Sequence, residues 1–185
     1  MKKILLISGG YDSLLISEMK ENIIDDYIYF NYENKFIEQE TLVLAGWENH
    51  SRRVIKVLDL PTLKEHDGFF EGRNLEFMLA VRKRYPAENI VVYFGNNADD
   101  NYPDNSREYL YRLEKLLNDS FSPSVIRIIT PLQDLTKPEI VRRYMGTNLF
   151  KEGIIPYFCD SGEEFPCGKC HSCLAMKGYG ELYNG

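Results

Sequence analysis

The first twenty-one residues already restrict the fold class. Lys3–Ile7 is a short apolar run that passes through Ser8-Gly9-Gly10 and, with no linker, into an amphipathic stretch over Ser13–Glu21. A strand that turns straight into a helix cannot pair with its successor by a hairpin, so the next strand returns parallel to it through a crossover. The alternation then recurs. Apolar, β-branched or aromatic runs predict strands over Tyr27–Phe30, Arg53–Leu58, Ile90–Phe94 and Val125–Ile129, and amphipathic stretches predict helices over Phe36–Trp47, Gly72–Tyr85, Ser106–Asn118 and Pro138–Met145. Short strands separated by helix-length segments predict an α/β protein with a five-stranded, mostly parallel sheet. The last of these helices has the clearest start. Thr136 is placed as N-cap, Pro138 falls in the first turn, and Glu139 three residues after Thr136 completes a capping box. After Leu149 the periodicity stops and a Gly, Pro and Cys-rich tail begins, which divides the chain into residues 1–149 and a small C-terminal segment, 150–185.

The string Ser8-Gly9-Gly10-Tyr11-Asp12-Ser13, flanked by Ile7 and Leu14, stands where main-chain amides converge on a helix N-terminus and face anions. Gly9 and Gly10 let the backbone turn sharply and come close to a phosphate, and Ser8 and Ser13 add hydroxyl donors. The spacing is neither Walker A, which ends in Gly-Lys-Ser/Thr, nor the three-glycine dinucleotide fingerprint. The competing reading is a plain Gly-Gly turn with Asp12 or Ser13 capping the helix.

All four cysteines fall in one fifteen-residue stretch, as Cys159, Cys167, Cys170 and Cys173. Each x2 gap lets two thiolates of one knuckle reach a tetrahedral Zn²⁺, and four thiolates close its shell, so the expected ion is structural, one per chain. The alternatives at this spacing are an iron–sulfur cluster and free buried thiols. His171 lies inside the knuckle and is read as a solvent-facing filler. The apolar run at the amino terminus is too short for a signal peptide or a membrane helix, so the expectation is a cytoplasmic protein with reduced thiols and no membrane partner. Lys+Arg 22 against Asp+Glu 28 gives a net charge of −6. That balance argues against a nucleic-acid partner, which calls for a basic face.

Taken in order, these strings resemble the 7-cyano-7-deazaguanine synthase family of queuosine precursor biosynthesis. The Ser8–Ser13 loop looks like the pyrophosphate loop of the adenine nucleotide α-hydrolases, and the Cys-x7-Cys-x2-Cys-x2-Cys knuckle looks like the family's zinc segment. Between them, Gly72-Arg73-Asn74, the segment from Gly95 through Tyr102-Pro103-Asp104 to Arg107, Thr130-Pro131-Leu132 and Leu135-Thr136-Lys137 match further family strings. The resemblance implies a Rossmann-like ATP-binding domain over residues 1–149 with a zinc-binding C-terminal segment. It also implies an ATP-dependent ligase that uses Mg²⁺, ammonia and 7-carboxy-7-deazaguanine, forms the nitrile through an adenylated acid and an amide, and in many members is a homodimer. Asp12, Lys137 and Arg73 become the catalytic candidates, since an adenylation needs the departing pyrophosphate held and neutralised. Ile7 to Leu14 become the nucleotide loop. Asn74, Tyr102, Asp104 and Arg107 become candidates for the acceptor: a carboxylate for guanine-type donors, a ring for stacking and a guanidinium for the substrate's carboxylate.

The chain also departs from the family pattern. Only Pro61 to Phe70 joins Leu60 to Glu71, where members carry a long insertion, and Asn31-Tyr32-Glu33-Asn34 stands for Asp-Tyr-Gly-Gln. Asn105-Ser106 follows Asp104 where a cysteine is usual. The acceptor pocket is therefore the least defined part. The open alternatives are an enzyme that stops at the amide or passes the acyl group to another acceptor, a pyrophosphate-loop tRNA-modifying enzyme, and a non-catalytic ATP- and zinc-binding scaffold.

Overall fold

A computed structural model describes residues 1–32, 34–60, 63–66, 69–121 and 123–180, without the side chains of 65, 66, 69, 171, 175 and 178–180. Glu33, Pro61 and the side chain of His171, all named above, thus lie outside the described part. The main sheet contains β1 (Lys2–Leu6), β2 (Asp26–Asn31), β3 (Ile55–Asp59), β6 (Ile90–Tyr93) and β7 (Ile126–Ile129), in the order β3-β2-β1-β6-β7. Every pairing in it is parallel. A small antiparallel ribbon, β4 (Glu65–His66) and β5 (Phe69–Phe70), fills the short connection after β3. No periodicity announced this ribbon, because two-residue strands are too short to show any.

The helices are α1 (Tyr11–Lys20), α2 (Ile37–Ser51), α3 (Arg73–Arg84), α4 (Arg107–Ser120), α5 (Lys137–Met145), α6 (Asn148–Lys151) and α7 (His171–Gly180). The strands alternate their apolar side chains between two cores, as the two-residue period requires. Leu5, Ile7, Tyr27, Tyr29, Val91 and Tyr93 meet α1, α2 and α5 on one face. Ile4, Leu6, Ile28, Phe30, Ile90 and Val92 meet Phe77, Met78 and Val81 of α3 and Leu110, Leu113 and Leu117 of α4 on the other. Each of these buried side chains contributes about 1.5–3 kcal/mol, so the three-layer arrangement follows from strands that are apolar on both faces. The capping box of α5 forms as expected, with the Thr136 N–H donating to Glu139 Oε2 at 2.7 Å. The short helix α6 straddles the boundary expected at residue 149, and α7 gives regular structure to part of a tail that showed no helical periodicity. No described helix is long and apolar enough to cross a membrane.

The chain builds outward from β1 through β2 to β3, then crosses back to place β6 on the other side of β1. The strand order reverses between β1 and β6. A crevice opens at the carboxyl ends of strands at such a point, which is where open α/β sheets bind ligands.

Candidate functional site

Ser8 to Ser13 occupy one lip of that crevice. Gly9 has φ +77°, and a Cβ there would stand 3.1 Å from the Glu40 carbonyl oxygen, so glycine is required both by the turn and by its packing on α2. The Ser8 N–H donates to Ser13 Oγ at 3.1 Å, and that hydroxyl donates to the Gly10 carbonyl at 3.2 Å, which ties the loop to itself. Gly10 is the N-cap of α1 and has no side chain to cap its first turn. The helix N-terminus therefore opens on the crevice, and its dipole favours an anion there.

The other lip is the segment after β6. Gly95 comes so close that an added Cβ would lie 3.1 Å from Asp12 Cβ. The next residues bind the loop to α5. Asn97 Nδ2 donates to Asp12 Oδ1 at 3.3 Å, the Asn97 N–H donates to Asp100 Oδ2 at 2.9 Å, and the Lys137 N–H donates to Asp99 Oδ2 at 2.6 Å. Lys137 is the first residue of α5, and its Nζ is ion-paired with Asp12 Oδ2. Burial raises the Asp100 carboxyl above the ordinary range, the Asn97 N–H opposes this, and the charge of Asp12 adds to the rise.

Two adjoining clefts share Asp100, Tyr102 and Ser172. The larger, about 770 Å³, runs from Ser8, Asp12 and Ser13 to an aromatic end formed by Phe30, Tyr32, Phe70 and Phe77. Its volume is that of a pocket for a drug-sized ligand. Phe30 and Phe77 stack with centroids 4.2 Å apart, and Tyr32 meets Phe70 edge-on at 5.2 Å. Arg73, first residue of α3 behind Gly72 at φ +68°, lines the same cleft. So does Glu40, which accepts a hydrogen bond from the Tyr29 hydroxyl at 2.8 Å. Burial pushes the Glu40 carboxyl up to about 7, against the hydrogen bond from Tyr29 and the positive charge of Arg73. The smaller cleft, about 650 Å³, is lined by Gly10, Tyr11, Lys137, Tyr157 and Phe158.

The four cysteine sulfurs lie within 4.8 Å of one another. Cys159 and Cys170 are 3.9 Å apart and Cys167 and Cys173 are 4.0 Å apart. Four thiolates about 2.3 Å from one tetrahedral ion stand about 3.8 Å from each other, so the set fits a single ion. A multi-iron cluster hangs its thiolates on different metal atoms and spreads them further. Main-chain N–H groups of Cys167, Cys170, Cys173 and Asp160 point at the sulfurs from 3.3 to 3.4 Å, which stabilises thiolates. Burial opposes ionisation of Cys159, but the Cys167 N–H and the Ser161 hydroxyl and N–H outweigh it and hold that thiol down to about 6.

The knuckle is also a wall of the site, which its spacing did not reveal. Asp160, from the knuckle, accepts from the Ser172 hydroxyl at 2.7 Å and from the Ser172 N–H at 3.1 Å, and both residues face the larger cleft. The Tyr157 N–H donates to the Gly9 carbonyl at 3.2 Å, pinning the tail to the loop itself.

The structure thus gathers Ser8–Ser13, Lys137, Arg73 and Tyr102 around the crevice. It places three other residues differently. Asn74 is fully buried, with Nδ2 donating to the Asp104 carbonyl at 3.0 Å and to Asn105 Oδ1 at 2.8 Å. Asp104 lies in a 3-10 turn, Pro103–Asn105, and is buried behind Asn105, which takes the position on the cleft wall. Arg107 points outward, 64% exposed, in an ion pair with Asp134. Glu40, Tyr29, Asp160 and Ser172 were not singled out from the sequence, since nothing in their local pattern marks them as neighbours of the loop.

Comparison with known proteins identifies a family. The sequence model of the family described as "Queuosine biosynthesis protein QueC" matches residues 54–182. The chain belongs to the QueC family. A 7-cyano-7-deazaguanine synthase of Methanobrevibacter smithii is 29% identical over 216 residues, covering 95% of this chain and 91% of the relative. One of Gloeothece citriformis is 29% identical over 218 residues, with 98% and 94% covered, and one of Nitratiruptor sp. is 24% identical over 210, with 97% and 94% covered. Each alignment is longer than the 185 residues of this QueC chain, so each relative carries segments that this chain lacks. Family membership makes this chain an ATP-dependent ligase-type protein, and its four cysteines are placed so that they could hold one metal ion.

Proposed function

We propose that the protein converts 7-carboxy-7-deazaguanine and ammonia to 7-cyano-7-deazaguanine, with ATP cleaved to AMP and diphosphate. The observation that carries this reading is the Asp12–Lys137 pair at the mouth of the Ser8–Ser13 loop, where a pyrophosphate leaving an α-phosphorus needs both amides and a cation. The substrate carboxylate oxygen attacks the α-phosphorus and pyrophosphate leaves, giving an acyl adenylate. Ammonia displaces AMP to give the amide. A second ATP then adenylates the amide oxygen with release of pyrophosphate and one N–H proton, and loss of AMP with the remaining N–H proton leaves the nitrile.

The chain's own groups divide this work. Loop amides and the α1 dipole take the pyrophosphate, Lys137 and Arg73 offset its charge, and the crevice holds the reacting atoms in line. Asp12 and Asp100 suit Mg²⁺, since two neighbouring carboxylates repel until a cation separates them. Mg²⁺, when bound, neutralises the phosphate oxygens. The aromatic end of the larger cleft, with Tyr102, offers flat faces to a purine-like ring. The cysteine set suits Zn²⁺ in a structural role, because four thiolates leave no open position for water.

A second reading keeps the adenylation and changes the acceptor. It is favoured by Arg107 pairing with Asp134 rather than facing the cleft, and by the segments the chain lacks. One experiment separates the readings: incubation with 7-carboxy-7-deazaguanine, ATP, Mg²⁺ and ammonium, followed by mass spectrometry. Nitrile with AMP supports the first, AMP without amide or nitrile supports the second, and no AMP with any such acid removes both.

A further inference from the structure

Behind the cleft wall, three side chains bury oxygen atoms that no donor among the described residues reaches. Asn74 on α3, Asn96 just after β6 and Asp104 in the 3-10 turn are 0%, 1% and 4% exposed. Among the described residues, Asn74 Oδ1, Asn96 Oδ1 and both Asp104 carboxylate oxygens have no hydrogen-bond partner. The amide orientations are fixed by their nitrogens. Asn74 Nδ2 donates to the Asp104 carbonyl and to Asn105 Oδ1, and Asn96 Nδ2 donates to the Asn105 carbonyl at 2.5 Å. Flipping either amide would set oxygen against oxygen. Asn74 and Asn96 are therefore both tied to the Asp104–Asn105 turn that carries the third side chain, and all four of the leftover atoms are acceptors.

A buried carboxylate with no donor is among the most costly arrangements a fold can hold, so such groups are paired or bind a cation. Among the described residues no cation of the protein reaches this one, and the neighbouring arginine, Arg107, is turned outward to Asp134. Water alone would satisfy hydrogen bonds but leave the charge. Mg²⁺ and Ca²⁺ favour several carboxylates, whereas a single carboxylate among neutral amide oxygens balances one positive charge. We propose that Asn74, Asn96 and Asp104 form a site for one monovalent cation of ammonium or potassium size. Asn105 separates it from the larger cleft by a single residue. Only the link to a nitrogen donor rests on the proposed function: an ammonium ion held there stands next to the cleft in which ammonia is consumed.

Thermal unfolding of the zinc-loaded protein in choline chloride, titrated with ammonium, potassium, rubidium or sodium chloride, tests the site without turnover. The expected result is a saturable rise of roughly 5–10 °C at about 100 times the Kd. The rise should vanish in Asp104→Asn and shift to at least about tenfold higher ion concentration in Asn96→Ala, as loss of a ligand atom implies. A rubidium-soaked crystal should show an anomalous peak at the Asp104 carboxylate, a readout that stands even if Asp104→Asn does not fold. Tighter binding of ammonium than of rubidium identifies the nitrogen donor as the occupant, and the reverse order identifies an alkali ion. No saturable response together with no peak overturns the site. AMP formation without an ion response leaves the proposed function standing and removes the site; an ion response without AMP does the opposite.

Discussion

Lys137 is ion-paired with Asp12 although 125 residues separate them, and the pair ties the N-terminus of α1 to that of α5 at the reversal point of the sheet. Both side chains keep some exposure to the cleft, 28% for Lys137 and 20% for Asp12, so the pair is placed for a ligand. Lys137→Ala should lower the rate of AMP formation by about 10²–10³-fold, the usual cost of losing one charge-stabilising group at a transition state. Its effect on stability should stay within about 1 kcal/mol, as for other partly exposed pairs. A steady-state AMP assay beside a urea melt separates the two. Equal activity of variant and native protein would remove Lys137 from the site.

Gly95 is a steric gauge of the same crevice. Its backbone takes no left-handed angle, so Gly95→Ala adds only a methyl group, placed 3.1 Å from Asp12 Cβ. The loop must shift by a few tenths of an ångström, and a misplaced reacting group is costly in rate. The expectation is a fall in kcat of about tenfold or more with nearly unchanged thermal stability, read from kinetics and calorimetry on the same preparation.

Removing the metal should disable nucleotide binding as well as the tail. Cys170 stands 3.9 Å from Cys159 within the four-sulfur set, and the same knuckle carries Asp160 and Ser172 into the cleft. Elemental analysis should give about one zinc per chain, and Cys170→Ser should lose it and weaken ATP binding at least about tenfold. Zinc-free protein that binds ATP normally would show that the wall is dispensable.

Glu40 should make nucleotide binding sensitive to pH. Its carboxyl is raised to about 7 chiefly by burial, so the folded protein holds a proton that the unfolded chain releases near its ordinary value. Stability therefore falls as pH rises from about 4.5 to 7, and the cleft gains a negative charge near pH 7. ATP should bind more weakly above pH 7 than below it, by several-fold. Glu40→Gln should flatten that dependence in a calorimetric titration across pH 6 to 8, about one unit on either side of the raised value.

At the amino-terminal end of β2, opposite the crevice, Asp26 works in the reverse sense. Burial would raise its carboxyl, but Lys56, the Tyr85 hydroxyl and Lys2 outweigh this and hold it at about 2. Its stabilisation is complete above the ordinary carboxylate range and is lost as pH falls towards 2. Asp26→Asn should cost about 1–2 kcal/mol at pH 7, discounted because Lys56 is 37% exposed, and the two proteins should converge in acid.

Much of this protein is visible locally. The capping box of Thr136 and Glu139 needs only residues three apart, and the start of α5 could be read from it. The Cys-x2-Cys spacings encode a knuckle because each pair sits on one tight turn. The β4–β5 ribbon and α7 left no such trace, since the ribbon is two residues long on each side and α7 carries no strong apolar face in sequence. Asn74, Asp104 and Arg107 show the limit for side chains. Their types suit a purine-like acid, yet direction is set by packing: Asn74 is drawn inward to the 3-10 turn, and Arg107 is drawn outward to Asp134.

The sequence by itself determined a parallel α/β sheet, a glycine loop between β1 and the N-terminus of α1, and a set of four clustered cysteines, because each depends on periodicity or spacing within about fifteen residues. Only the tertiary structure decided which groups share the crevice. Asp12, Gly95, Lys137, Glu40 and Ser172 come from five separate segments, and they meet because the strand order reverses beside β1 and the metal knuckle folds back onto Gly9.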